Sequence, residues 1–141
     1  VFNDHLDDVY RICSSASCRQ GPMPETLARE YATPCHNPVS QCDAHDYVHY
    51  GVLRDGVLYA YAACLIAGEL CAIEQIFGDA DRQSDGVVPM LITGIAETLY
   101  REHPRVKYYT YDTFFGAGVS LRRFKKKFKF LPHVVQWELG R

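Results

Sequence analysis

The stretch from Leu70 to Tyr100 runs from an apolar strand, LCAIEQIF, through a polar turn containing Gly86 into an amphipathic helix with Pro89 near its start. A strand that feeds a helix N-terminus presents unpaired backbone N–H groups and the positive end of the helix dipole, which is the chemistry of an anion site. The single Gly86 does not make the glycine-rich loop of a P-loop or dinucleotide fold. Within the strand, Glu74 is an acid in an apolar run between Ile73 and Ile76, where partial burial would tune it toward general-base work. The plainer reading is a strand glutamate facing solvent or paired with a cation such as Lys107. In RVKYYTYDT, alternation puts Tyr109 and Tyr111 on one face, and cross-strand packing is the ordinary explanation of such a run. Arg122, Arg123, Lys125, Lys126, Lys127 and Lys129 crowd six cations into about two helical turns, either as a solvated face or as a seat for phosphates. Cys35, His36, Cys42, His45 and His49 are zinc-ligand types, but only His45 and His49 have a paired spacing, and that works only on a helix. DYVHYGVL has a strand pattern, so no metal is expected.

These residues need elements to hold them. FNDHLDDVYRICSSA carries Leu6, Val9, Tyr10 and Cys13 at helical spacing behind an Asn3 or Asp4 cap, and PETLAREYA restarts a short helix with Pro24 in its first turn. From residue 46 the period becomes alternating, with two strands joined at Asp55-Gly56 and a third after a turn at Ala67-Gly68, a meander. Because proline is tolerated only in a helix's first turn, Pro89 places the next helix start at Asp85 or Gly86 and leaves 78–84 as loop. Val87, Val88, Leu91, Ile92, Ile95, Ala96 and Leu99 form its buried stripe. A strand over 105–113 follows. Then come a helix with Val119, Leu121, Phe124 and Phe128 inward and a last strand, HVVQWEL. The order is α-α-β-β-β-α-β-α-β, an α+β class with a mixed, mainly antiparallel sheet flanked by helices.

At 141 residues, 48% hydrophobic, the chain reads as a single domain over 1–141. A net charge of -2 gives no overall bias toward nucleic acid or anionic lipid, so such a partner would need a local patch. No run is long and apolar enough for a membrane span, and no leader pattern opens the chain, so a soluble, cytoplasmic protein is expected. Six cysteines are read as free thiols rather than a disulfide framework, since Cys64 and Cys71 lie in apolar strand runs.

The whole pattern resembles the GNAT superfamily of N-acyltransferases, in which two helices precede a β-meander and a Q/R-x-x-G-x-G/A loop cradles the acyl-CoA pyrophosphate. Gln83-Ser84-Asp85-Gly86-Val87-Val88 matches that frame, with Val88 where the family has Gly or Ala and Asp85 adding a negative charge; a frame from Arg82 also lacks the second small residue. FKKKFKF is similar to the closing L-Y-x-K-x-G-F form, with Lys125 where the family often has its catalytic tyrosine, and SLRRFKKKFKF also looks like the last helix of aminoacyl-tRNA-dependent relatives. The strand that precedes the first helix in that family is absent or reduced to Val1-Phe2. The resemblance implies direct transfer of an acetyl or other acyl group from acyl-CoA, acetyl-CoA above all, to an amine on a small molecule or protein. It implies Glu74 as base, one of Tyr108, Tyr109 and Tyr111 as acid on a strand that diverges from its neighbour, and Asp112 as a weaker amine contact. The backbone of Arg82 to Val88 would lie on the pyrophosphate, Ile76, Phe77 and Gly78 along the pantetheine, and Lys125 beside the cofactor. Other readings are a transferase of the same fold using aminoacyl-tRNA or another carrier, and a non-catalytic binding module. tRNA and a second copy of the chain are further candidate partners. His36, His45 and His49 are candidates to line the acceptor cleft.

Overall fold

The computed structural model describes residues 2–15, 23–35, 42–136 and 138. A 3-10 turn (Phe2–His5) leads into α1 (Leu6–Ser15), so no strand precedes α1 among the described residues. Asp7 and Asp8 occupy the first turn of α1, where the helix dipole favours acids, and Val9, Ile12 and Cys13 turn inward. α2 (Glu25–Tyr31) starts after Pro24, which stands at the N-cap.

β1 (His45–Arg54), β2 (Val57–Ala67) and β3 (Leu70–Gly78) form the expected antiparallel meander. Asp55 and Gly56 take φ values of 53° and 79°, the paired positive values a two-residue hairpin turn needs. The second turn is Gly68-Glu69, one residue later than expected, with Gly68 at φ 58°. β4 (Tyr108–Tyr111) adds in parallel to β3, giving the order β1-β2-β3-β4. It is shorter than the 105–113 run suggested.

The sheet separates two cores. On one face β2 offers Ala60, Ala62, Cys64 and Ile66 to α3 (Val87–Glu102), which answers with Val87, Leu91, Ile95 and Leu99. Each of the larger aliphatic side chains contributes about 2 kcal/mol of burial. The small β2 residues give that helix room to lie close. On the other face Tyr61 and Leu58 pack against Val9, Ile12 and Cys13 of α1 and Ala28 of α2. Asp8 and Arg11 pin α1 down: Asp8 accepts from the Leu58 N–H at 3.0 Å, Arg11 donates to the Leu58 carbonyl at 2.6 Å, and Arg11 pairs with the buried Asp79. Burial alone would raise the Asp8 carboxyl, but the Leu58 N–H, Arg11 and His5 hold it below its ordinary value.

Four expectations are corrected. Residues 80–85 are not loop but a 3-10 helix (Ala80–Asp85), capped by the Asp79 carboxylate on the Asp81 N–H. Ala96 is exposed rather than in the α3 stripe. In α4 (Val119–Lys127), Val119 is 58% exposed and the inward position belongs instead to Lys125, at 1%. The final strand is not formed over 133–136; residues 137 and 139 lie outside the described set. Lys129 takes φ 65° and turns the chain out of α4, Phe130 docks edge-on against Tyr109 and Tyr111, and Val134 and Val135 beyond it are 94% and 65% exposed. Two consecutive valines also break the alternation a half-buried strand requires.

Candidate functional site

The site begins as a fork in the sheet. β3 and β4 pair from Leu70–Tyr108 to Ile73–Tyr111, and there the pairing ends. β3 continues to Gly78 with Gln75, Ile76, Phe77 and Gly78 paired to β2 on one side only. The other edge of that segment has no strand beside it among the described residues, so its backbone N–H and C=O groups face the gap that opens between the strands. An extended ligand rich in amides could pair with such an edge.

Two features set the fork. Ala63 pairs with Gln75 and Cys64 with Ile73, which leaves Glu74 as the extra residue of a β-bulge. Bulges bend a strand and re-aim its side chains. Glu74 is consequently exposed, not partly buried as its apolar neighbours suggested, and Lys107 pairs with Glu69 instead. On the other prong, Lys125 enters from α4 and donates to the carbonyls of Tyr111 at 2.7 Å and Thr113 at 2.8 Å, its ammonium 4.5 Å from the Tyr111 ring centre. Burial lowers its pKa, and Asp112 partly offsets this. Lys125 therefore fixes where the chain leaves β4, and its ammonium, expected beside a cofactor, is occupied by backbone.

β3 then delivers the chain to the start of α3. Asp79 ends the strand by donating its N–H to the Tyr59 carbonyl, and the 3-10 helix carries the chain to Gly86, which caps α3 at φ 73°. The N–H of Gly86 is bonded to the Gln83 carbonyl, and that of Met90 to the Gly86 carbonyl. Pro89, third in the helix, has no N–H. This leaves Val87 and Val88 as the open donors of the first turn, a reduced version of the anion site expected over Arg82 to Val88. Val88 also packs over the strand end: a Cβ on Gly78 would lie 2.5 Å from a Val88 methyl, so a side chain here would force Val88 to move. The charge that Asp85 brings is answered by Arg82 at 3.5 Å, with Arg82 itself over the Tyr59 ring. Gln83, Ser84 and Asp85 are exposed.

The remaining expected residues divide between the two faces. Tyr109 and Tyr111 lie on one face, as their alternation required, both packed toward the α3 core. The Tyr109 hydroxyl is buried without a hydrogen-bond partner, and burial raises its pKa. Tyr111, opposite Ile73, stands at the fork itself. Asp112 follows in an exposed turn at φ 46°. Near Glu74, on the face that carries α1 and α2, the structure brings in a residue sequence reasoning missed. Burial, then the Glu74 charge and a hydrogen bond to it, push the Tyr47 hydroxyl up to about 12. His49 meets Tyr47 edge-on at 5.5 Å and stacks on Phe2 at 4.0 Å, and burial lowers its pKa. The signal was the two-residue spacing of Tyr47 and His49 on β1. His45 lies 3.1 Å from the Cys42 thiol, while His36 and Cys18 fall outside the described residues. Among the described residues no three His, Cys, Asp or Glu side chains converge as a metal site, and the buried Cys13, Cys64 and Cys71 are free thiols. A separate cleft of about 260 Å³ lies between Ile92, Thr93 and Ala96 of α3, Tyr109, and Phe128 and Phe130 after α4.

Solved structures share this arrangement. An acetyltransferase from Trypanosoma brucei matches 99% of the chain and 94% of its own at TM-score 0.61 and 15% identity. AAC(6')-Iy, solved with the bisubstrate analogue CoA-S-monomethyl-acetylneamine, matches over 98% and 92% at TM-score 0.56 and 15% identity. An aminoglycoside acetyltransferase from an uncultured soil metagenomic sample, in complex with trehalose, matches over 99% and 91% at TM-score 0.57 and 12% identity. The chain spans only 54% of the ribosomal-protein-S18-alanine N-acetyltransferase from Escherichia coli, at TM-score 0.45 and 20% identity. No family model matches the sequence, and no curated protein does. No helix among the described residues is long and apolar enough to cross a membrane.

Proposed function

Starting from the GNAT fold that the chain shares with these acetyltransferases, we propose that it is an N-acyltransferase moving an acetyl or other acyl group from acyl-CoA to an amine acceptor by direct attack. The observation that carries this reading is the fork: an open β3 edge from Gln75 to Gly78 that leads straight to the unpaired N–H groups of Val87 and Val88. The residues fit the co-substrate. The strand edge suits the amides of a pantetheine arm, and the two N–H groups suit a pyrophosphate, with Asp85 already neutralised by Arg82.

Acyl-CoA supplies a carbonyl activated by its thioester. Glu74 takes the proton that an ammonium must lose to become a nucleophile. Tyr47 donates its hydroxyl to that carboxylate and orients it, which exposure alone would leave to solvent. The new N–C bond forms as the C–S bond breaks, and Tyr111, at the fork, returns a proton to the departing thiolate. Tyr109 is the alternative donor. The acceptor enters from the side that carries Tyr47, His49 and α1. It is an amine on a small molecule or a protein, an aminoglycoside acetyltransferase being among the similar structures.

Saturating acetyl-CoA or CoA should raise the melting temperature by roughly 5–10 °C, since about 100-fold excess over Kd adds about 2.7 kcal/mol. An unchanged melting curve at millimolar CoA would sink the CoA reading and leave another acyl carrier, or a binding role, for the same fold. Glu74→Gln should keep the thermal shift while lowering turnover tens- to thousands-fold. Equal turnover by that variant would remove Glu74 as the base.

A further inference from the structure

Outside the last helix, the exposed cations among the described residues are answered by carboxylates, Arg105 excepted. Arg29 pairs with Glu25, Arg54 with Asp55, Arg82 with Asp85, Arg101 with Glu97 and Glu102, and Lys107 with Glu69. α4 breaks the rule. None of the exposed Arg123, Lys126, Lys127 and Lys129, nor the half-buried Arg122, has a carboxylate within ion-pair distance among the described residues. The sequence holds no acid between Asp112 and Glu138, and among the described residues the fold brings none within ion-pair distance from elsewhere.

The charges are also ordered. Leu121, Phe124, Lys125 and Phe128 fall on one side of the helix at three- and four-residue spacing and are buried or half-buried. Arg122, Arg123, Lys126 and Lys127 make up the opposite side in two i,i+4 rows, about 5–6 Å between neighbours, and Lys129 continues past the helix end. That row spacing is close to the separation of successive phosphates on a polynucleotide. At the edge of this face Phe115 is 77% exposed, held edge-on against Phe114 at 5.5 Å, while the Lys126 ammonium lies 5.9 Å from the Phe114 ring centre. An exposed ring beside backbone-tracking cations is the combination by which proteins hold unpaired bases and their phosphates.

We propose that the outward face of α4, with Phe115 at its border, binds single-stranded nucleic acid. The inference does not rest on the acyltransferase reading. One CoA molecule has too few phosphates to engage five cations in about 15 Å of helix and turn. An interfacial helix would turn an apolar stripe to the lipid, whereas α4 turns its apolar stripe into the protein.

The experiment is fluorescence anisotropy with a labelled single-stranded RNA oligonucleotide and its duplex, on the whole chain. If all five cations engage, affinity should fall about 100-fold between 50 and 200 mM salt, from a slope of about −0.7 per phosphate. Arg123→Glu with Lys127→Glu should weaken binding at least ten-fold. The Arg123→Gln, Lys127→Gln pair, gentler at a helix end, should weaken it several-fold. Phe115→Ala should cost about ten-fold on the single strand and little on the duplex. Unchanged binding by both charge variants overturns the proposal. So does indifference to Phe115→Ala, displacement of the RNA by saturating CoA, or binding to phosphatidylserine vesicles with none to the oligonucleotide.

Discussion

At the residue scale, two tyrosine hydroxyls, of Tyr50 and Tyr109, are enclosed in the α3-side core with no hydrogen-bond partner. A buried donor left unmade is costly, on the order of 1–3 kcal/mol, and removing it recovers part of that. Tyr109→Phe should therefore stabilise the protein by about 1 kcal/mol in urea denaturation while keeping the edge-on contact with Phe130. If Tyr111 is the proton donor, Tyr109→Phe also leaves turnover close to unchanged. A less stable Tyr109→Phe protein would mean that the hydroxyl is satisfied after all. Neither outcome was readable beforehand, because alternation assigns Tyr109 and Tyr111 a face but not a place along the fork. Glu74 shows the same limit. Its apolar neighbours were read correctly, yet the bulge that turns it outward is a property of the pairing of β2 with β3.

At the element scale, one buried polar side chain of α4, Lys125, ties the helix to the end of β4 through two hydrogen bonds. Lys125→Met keeps the length and the packing but leaves the Tyr111 and Thr113 carbonyls without their donor, so a loss of about 2 kcal/mol is expected. Because burial lowers the Lys125 pKa in the folded protein, the unfolded chain binds more protons in the window from the folded value up to 10.5, and stability there should rise with pH. Denaturation of the wild type and of Lys125→Met at neutral and mildly alkaline pH should show that rise only in the wild type. Equal slopes would mean that the lysine is solvated. The helix itself was legible from its period, as were the Asp55-Gly56 hairpin and the α3 start that Pro89 dictates. What a one-dimensional pattern cannot supply is the acceptor that makes a lysine an inward residue, here two carbonyls at the end of a different element. The last strand failed for a related reason: a strand exists only with a neighbour, and HVVQWEL carries no information about whether β4 accepts one.

At the scale of the whole molecule, the tyrosines tie both cores to one pH limit. Burial, with help from nearby Glu74, Cys64 and Cys71, pushes Tyr47 and Tyr50 up to about 12 from 10.0. Burial raises Tyr61 and Tyr109 further. Tyr61 sits in the α1 core and Tyr109 in the α3 core, so neither layer escapes. A phenol whose folded pKa is raised contributes stability that is fully present below pH 10, where both states are protonated. Above pH 10 the unfolded chain ionises first, binds fewer protons than the native state, and stability falls. A shift of one unit is worth about 1.4 kcal/mol at full titration, so even allowing for partial exposure of Tyr47 the group removes on the order of 5 kcal/mol by pH 12. Domains of this size have about 5–15 kcal/mol in total. Cooperative unfolding is therefore expected between about pH 11 and 12, with four of the ten tyrosines ionising only as the fold is lost. Tyrosinate absorbance and far-ultraviolet circular dichroism followed in one alkaline titration would test it. Part of the absorbance change should come first with no loss of secondary structure, and a second step, from the raised tyrosines, should coincide with the dichroism transition. A single absorbance step completed while the dichroism is still native would mean that both cores are open to hydroxide, and that the two-layer packing described above is wrong.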